Sequence, residues 1–531
     1  MDTSNEKKLE QLGSFEISDQ MLTLAQDNQR QNVFLNAGRG NPNWINKKAR
    51  LAFNRLIKFG LQESERTIAE GDLIGYTELQ DISTHFTEFL SPETNEIDHF
   101  LLQMLKYTDQ LGIDSNDFVK ELADGVLGNN YPVPSRVLKN SEIILNHYLE
   151  SVLYNGTSLT NQTDIFPTEG GTAAIVYIFN SLRENKLIRP GDRIAINTPI
   201  FTPYLQIPEL SDYELVEVDL QSTEENHWEL LPSEIEKLTD PDLKAFFIVN
   251  PSNPGSRALD ASALAEIKKV VQTNPDLMII TDDVYGTFVE NFQTIYAVVP
   301  HNTLLVYSFS KLFGATGWRV GLIAAHKENV FDRLIQTLPS EDQKLLTQRY
   351  QLVVKEPEKM AFIDRLVADS RSIGLYHTSG LSTPQQIMEV LFALTHLLAG
   401  ETDPYIDTSR KIINERYKNL HDALQLAADE SCDNSKYYSL INIYELAERR
   451  YGRAFREYLA SHFEYIDFLV RLAEKNGVVL IDGVGFGTAA GQVRVSEANL
   501  PTKDYKLIGR EILEVLKEYH AAFEKLNSST K

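Results

Sequence analysis

The chain has 531 residues, 42% of them hydrophobic and 24% charged, with 75 acidic against 51 basic side chains and a net charge of −24. That length supports about two to four domain-sized units with a large core. The acidic excess excludes a nucleic-acid backbone or an anionic membrane surface as partner, and no uninterrupted apolar run is long enough to span a bilayer.

The first twenty residues, MDTSNEKKLEQLGSFEISDQ, lack the apolar core of a signal peptide. The single cysteine, Cys432, has no partner for an internal disulfide, so a cytoplasmic location is expected. Residues 1–34 read as a polar helical arm. Residues 35–165 read as part of a small domain, and Leu, Phe and Met at three- and four-residue spacing predict a helical insertion over about 77–125. Residues 166–378 read as a large domain. Its β-branched and aromatic runs RIAINTP, KAFFIVNP, LMIITDD and LLVYSFS are each followed by turn residues and helical sequence. That alternation predicts an α/β fold with a mostly parallel sheet. A helical extension covers about 326–378, and 379–531 returns to the small domain, with the stretch to about 475 largely helical. There GVGFGTAAG lacks the crossover helix of a dinucleotide-binding turn and reads as a loop before the strand that carries Arg494.

Ligands of an open parallel sheet bind at the carboxyl ends of its strands, and the unusual polar groups cluster at such ends. Gly170, Gly171 and Thr172 open a helix whose free amides suit an anion; the lysine of a nucleotide-binding loop is missing. Phe201 could stack on a flat ligand or fill the core. Asn253 is a turn asparagine or a donor to a ligand oxygen. Asp282, followed by Tyr285, could cap a helix, hold a protonated heterocycle or bind a metal. No second cluster with ligand spacing accompanies it, so metal is the weakest of the three. Lys311, among apolar and small residues, would have its ammonium form disfavoured and so be a nucleophile toward carbonyls. Ser308 and Arg319 add a hydroxyl and a charge for a phosphate. The Ser-x-x-Lys pattern of serine β-lactamases lacks its Ser-Asp-Asn and Lys-Thr-Gly partners here.

Together these groups describe pyridoxal 5'-phosphate: an amine for the aldehyde, an acid for the ring nitrogen, donors for the ring oxygen, and an anion cradle. At this point SFSKLFGATGWRVG resembles the lysine motif of the class I pyridoxal-phosphate aminotransferases. NPSNPG is similar to their Asn-Pro turn, DDVY to their Asp-x-x-Tyr and GGT to their phosphate turn. Two departures stand out: the turn continues Asn-Pro-Gly-Ser, and Phe201 takes the place of the more usual tyrosine or tryptophan.

The resemblance implies the aspartate-aminotransferase fold (fold type I), with a smaller α/β domain from both chain ends. It implies that Arg494 grips the substrate α-carboxylate. It also implies a homodimer with shared sites, in which Tyr131 reaches the neighbour's phosphate. The extra helical segments and Arg39, set between two glycines in LNAGRGNPNW, are similar to the aspartate 4-decarboxylase branch of that family. That branch implies β-decarboxylation of L-aspartate to L-alanine and CO2 through a ketimine, with some aminotransferase activity and assembly beyond the dimer. Arg39 and Tyr204 join Asn253 and Arg494 as substrate-facing candidates; Tyr204 could equally be helix packing. A plain dicarboxylic-acid aminotransferase is the alternative. A pyridoxal-phosphate-binding transcription regulator is remote, because little room is left for a DNA-binding domain.

Overall fold

The computed structural model describes residues 8–10, 12–27, 34–400 and 402–529. Parts of the arm expected over 1–34 and the end of the polar tail lie outside the described residues.

Seven strands build the main sheet: β1 (Thr163–Thr168), β2 (Arg193–Thr198), β3 (Val216–Gln221), β4 (Leu243–Val249), β5 (Met278–Asp282), β6 (Thr303–Ser308) and β7 (Gly321–His326). Their spatial order is β1-β7-β6-β5-β4-β2-β3. Strands β2 to β6 pair in parallel, while β7 runs antiparallel to both β1 and β6. The central strands are buried along their whole length, as expected when both faces of a parallel sheet are covered. Side chains alternate between two cores: Ala245, Phe247 and Ile280 face the larger one, while Phe246, Ile248 and Ile279 face the other. In register, Val249 sits opposite Asp282, and Asp282 opposite Val306. The chain therefore leaves β4, β5 and β6 along a single edge of the sheet, which brings Asn253, Asp282 and Lys311 to one place.

A second, three-stranded antiparallel sheet joins Tyr438–Asn442, Gln492–Ser496 and Ile481–Asp482. Next to it Leu35–Asn36 pairs in parallel with Val478–Val479, so residues from both chain ends share one apolar cluster. The helix α1 (Ser14–Asp27) joins this cluster through Ile17, Met21 and Ala25, spaced four apart on one face. The Tyr438–Asn442 strand lies in a stretch that reads as largely helical from sequence.

Over the expected insertion the chain forms helices Ile82–Phe89, Glu96–Gln110 and Ser115–Leu127. Asn95 and Asp114 cap the last two by accepting backbone amides. Arg55 clamps the buried Asp98 with two hydrogen bonds of 2.7 and 2.8 Å, which fixes the Glu96–Gln110 helix to the Lys47–Ser64 helix. Among the described residues no helix is long and apolar enough to cross a membrane.

Candidate active site

A cavity of about 570 Å³ opens where β4, β5 and β6 end and the smaller sheet leans over them. Most of the residues singled out in the sequence line it: Arg39, Gly171, Thr172, Phe201, Asn253, Asp282, Tyr285, Ser308, Lys311, Arg319 and Arg494.

At its base the helix α2 (Gly171–Glu184) starts without a side-chain cap, leaving its first amides free for an anion. Gly170 precedes it at φ 87°, ψ 170°, a conformation open essentially to glycine alone. Arg319 packs against this glycine, donating from Nη2 to the Glu169 carbonyl at 3.2 Å and from Nη1 to the Thr316 carbonyl at 2.9 Å. A methyl group on Gly170 would stand 2.6 Å from Arg319 Nη2. The Ser308 and Ser310 hydroxyls, 3.0 Å apart, complete this end.

Asp282 ends β5 and is almost wholly buried. It accepts the Val284 amide at 3.3 Å and the Tyr204 hydroxyl at 3.4 Å. Burial pushes its carboxyl up to about 6 against the lowering influence of these donors and of nearby Lys311. A cationic partner inside the cavity would restore its ionised form. Tyr204, expected to face the substrate, does not line the cavity. It is fully buried behind Asp282 because its helix, Pro203–Leu210, turns that side chain into the core.

Lys311 Nζ donates to the Gly40 carbonyl at 3.1 Å, and the Tyr437 hydroxyl donates to the same oxygen at 2.9 Å. The Tyr285 and Tyr438 hydroxyls lie 2.8 Å apart. A methyl group on Gly40 would collide with the Tyr438 hydroxyl at 2.1 Å and crowd Lys311 Nζ at 3.1 Å. Glycine there lets the backbone approach the lysine.

Arg494 is 1% exposed. It donates to Asn253 Oδ1 and to the Gly38 carbonyl, both at 2.8 Å, and its plane lies over the Tyr438 and Phe486 rings at 4.2 and 4.6 Å. Its Nε has no partner, and no carboxylate pairs with it among the described residues. Burial lowers its pKa, with the surrounding tyrosines opposing. A buried guanidinium without an acid is costly unless an anion arrives. Arg39 stands at the mouth, half exposed, paired with Asp19 of α1 at 2.7 Å.

Tyr131 is 66% exposed and does not line the cavity of its own chain. Sequence reasoning missed Phe15, Asn41, Ser310, Thr316 and Tyr438, all of which line it. Phe15 meets Phe201 and Phe486 edge-on at 6.2 and 6.3 Å.

The family model for aminotransferase class I and II matches residues 124–510. This chain belongs to that family. Members of the class I family are pyridoxal-phosphate-dependent enzymes. A bifunctional aspartate aminotransferase and L-aspartate beta-decarboxylase from a Pseudomonas species is 42% identical over 528 residues, covering 98% of each chain. Among solved structures, an aspartate aminotransferase double mutant from Thermus thermophilus aligns with TM-score 0.60 at 17% identity, covering 94% of this chain and 96% of the other. The Rhizobium meliloti aspartate aminotransferase gives TM-score 0.61 at 15% identity, covering 95% and 96%. This class I/II aminotransferase therefore shares the α/β fold of those enzymes.

Proposed function

We propose that this family member is a pyridoxal-phosphate-dependent aspartate 4-decarboxylase of the cytoplasm, converting L-aspartate to L-alanine and CO2 with a side activity as an aspartate aminotransferase. The observation that carries the reading is two arginines, Arg494 and Arg39, in one cavity with Lys311, matching a substrate with two carboxylates. The near full-length similarity to the Pseudomonas enzyme supports it.

When bound, pyridoxal phosphate supplies an aldehyde that condenses with amines and a ring that accepts electrons. The orphan polar groups of the cavity fit it. The uncapped start of α2, with Ser308 and Arg319, holds the phosphate; Tyr131 of a second copy reaches the same group in a homodimer. Asp282 keeps the ring nitrogen protonated, with Tyr204 behind it fixing the carboxylate. Asn253 and Tyr285 would supply donors to the ring oxygen, and Phe201 an aromatic surface for the ring. Lys311 would hold the aldehyde, and its amine, when free, would take the proton from the substrate Cα. Arg494 holds the α-carboxylate, orienting the Cα–H bond for that removal. Arg39 meets the second carboxylate. Phe15 and Phe486 shield the site from water, which favours loss of CO2 over hydrolysis to oxaloacetate.

L-Aspartate labelled with carbon-13 at the side-chain carboxyl tests this directly. Labelled CO2 and bicarbonate matched mole for mole by alanine is the expected result; label retained in oxaloacetate, or labelled CO2 matched by pyruvate instead of alanine, would contradict it.

A further inference from the structure

Arg39 already has a partner at the cavity mouth. Its Nη2 is already 2.7 Å from Asp19 Oδ1, and both side chains are 55% exposed at the cavity mouth. The helix that carries Asp19 is held in place on both sides. One turn earlier Phe15 forms part of the cavity wall, and Ser18 faces Gly38, where an added methyl would sit 2.9 Å from the Ser18 hydroxyl. Asp19 is thus a carboxylate delivered by the fold to an exposed arginine of the cavity.

The consequence concerns the reaction, and rests on the reading of the site as an aspartate 4-decarboxylase. CO2 departs from Cβ leaving its bonding electrons behind, and Cβ then takes a proton. The departing carboxylate loses its charge on the way. A guanidinium locked onto it would stabilise the ground state more than the transition state and so slow departure. An arginine shared with a resident carboxylate attracts the substrate's distal group but holds it loosely. We propose that Asp19 is a positioning residue that restrains Arg39, weakening its hold on the distal carboxylate and thereby favouring decarboxylation over transamination.

The test compares cofactor-loaded wild type, Asp19→Ala and Asp19→Glu. Alanine preserves the helix. Calorimetric titration with succinate reads both arginines, whereas butyrate reads Arg494 alone. Asp19→Ala should bind succinate about fivefold more tightly, the scale of an exposed ion pair, with butyrate unchanged, and its alanine-to-oxaloacetate product ratio should fall. Asp19→Glu should stay close to wild type. Unchanged succinate affinity in Asp19→Ala, or equal shifts for succinate and butyrate from a displaced helix, would overturn the proposal. If wild type releases oxaloacetate but no alanine, the decarboxylase reading fails, and with it the consequence for product ratio; the succinate-to-butyrate comparison still decides the restraint itself.

Discussion

Arg494 and Asn253 lie 241 positions apart, yet the Arg494 guanidinium donates to the Asn253 side-chain oxygen at 2.8 Å. One residue comes from the smaller sheet and the other from the turn after β4, so this bond joins the two halves of the site. It also aims a buried cation at the position where a substrate α-carboxylate would bind. Replacing Arg494 with lysine removes the planar fork that suits a carboxylate. The kcat/KM for L-aspartate should fall about a hundredfold or more, and affinity for L-alanine should fall with it, since both carry the same group. The melting temperature should also fall, by a few degrees, because the buried Asn253 and Gly38 oxygens lose guanidinium donors. Loss for aspartate alone would assign Arg494 to the other carboxylate.

Gly170 is a position where the backbone and a neighbour both forbid a side chain. Its φ of 87° and the 2.6 Å approach of Arg319 predict that Gly170→Ala costs about 1–3 kcal/mol of stability. It should also push Arg319 aside, so affinity for the cofactor should drop at least about tenfold. Thermal melting and equilibrium dialysis with pyridoxal phosphate measure the two effects separately; normal cofactor affinity would show that Arg319 does not hold the phosphate.

Glu497 is fully buried beneath the smaller sheet, one oxygen accepting from Ser439 at 2.6 Å and the other without a partner. Burial pushes its carboxyl up to about 8, while the Ser439 hydroxyl and Arg416 lower it. The folded value lies above the unfolded one, near 4.5. Its contribution to stability is therefore fully present below about pH 4.5 and is lost as pH rises to about 8. Glu497→Gln, of the same shape and always neutral, should flatten the fall in melting temperature between pH 5 and 8. An unchanged slope would mean that Glu497 stays charged in the fold.

Much of the site was legible because chemistry and secondary structure coincide locally. Asp282, Ser308 and Lys311 each stand at or just past a short apolar run, and the parallel register then aligns those runs. Tyr438 was not legible. Its strand has five residues, is followed at once by the Ile443–Tyr451 helix, and sits in a stretch whose dominant period is helical. Phe15 was hidden for a different reason. The apolar face of α1 is readable, but only the pairing of Leu35–Asn36 with Val478–Val479 brings that helix over the cavity. Tyr204 shows the converse: of the two roles its place near a strand end left open, facing the substrate and packing the helix, its side chain takes the second.

Phe15 gives a prediction of its own. Its ring closes the cavity against Phe201 and Phe486, so Phe15→Ala should admit water. The share of aspartate leaving as oxaloacetate should rise severalfold while the melting temperature falls only slightly, as the ring is at the cavity edge. An unchanged product ratio would place water exclusion elsewhere.

If Lys311 drives repeated β-decarboxylation, the products counted per site reveal it. With L-aspartate and pyridoxal phosphate but no added 2-oxo acid, the enzyme should form many equivalents of alanine and CO2 per chain, and Lys311→Ala should form none. About one equivalent of oxaloacetate per chain, followed by arrest with the cofactor in its amine form, would make the protein an aminotransferase and not a decarboxylase.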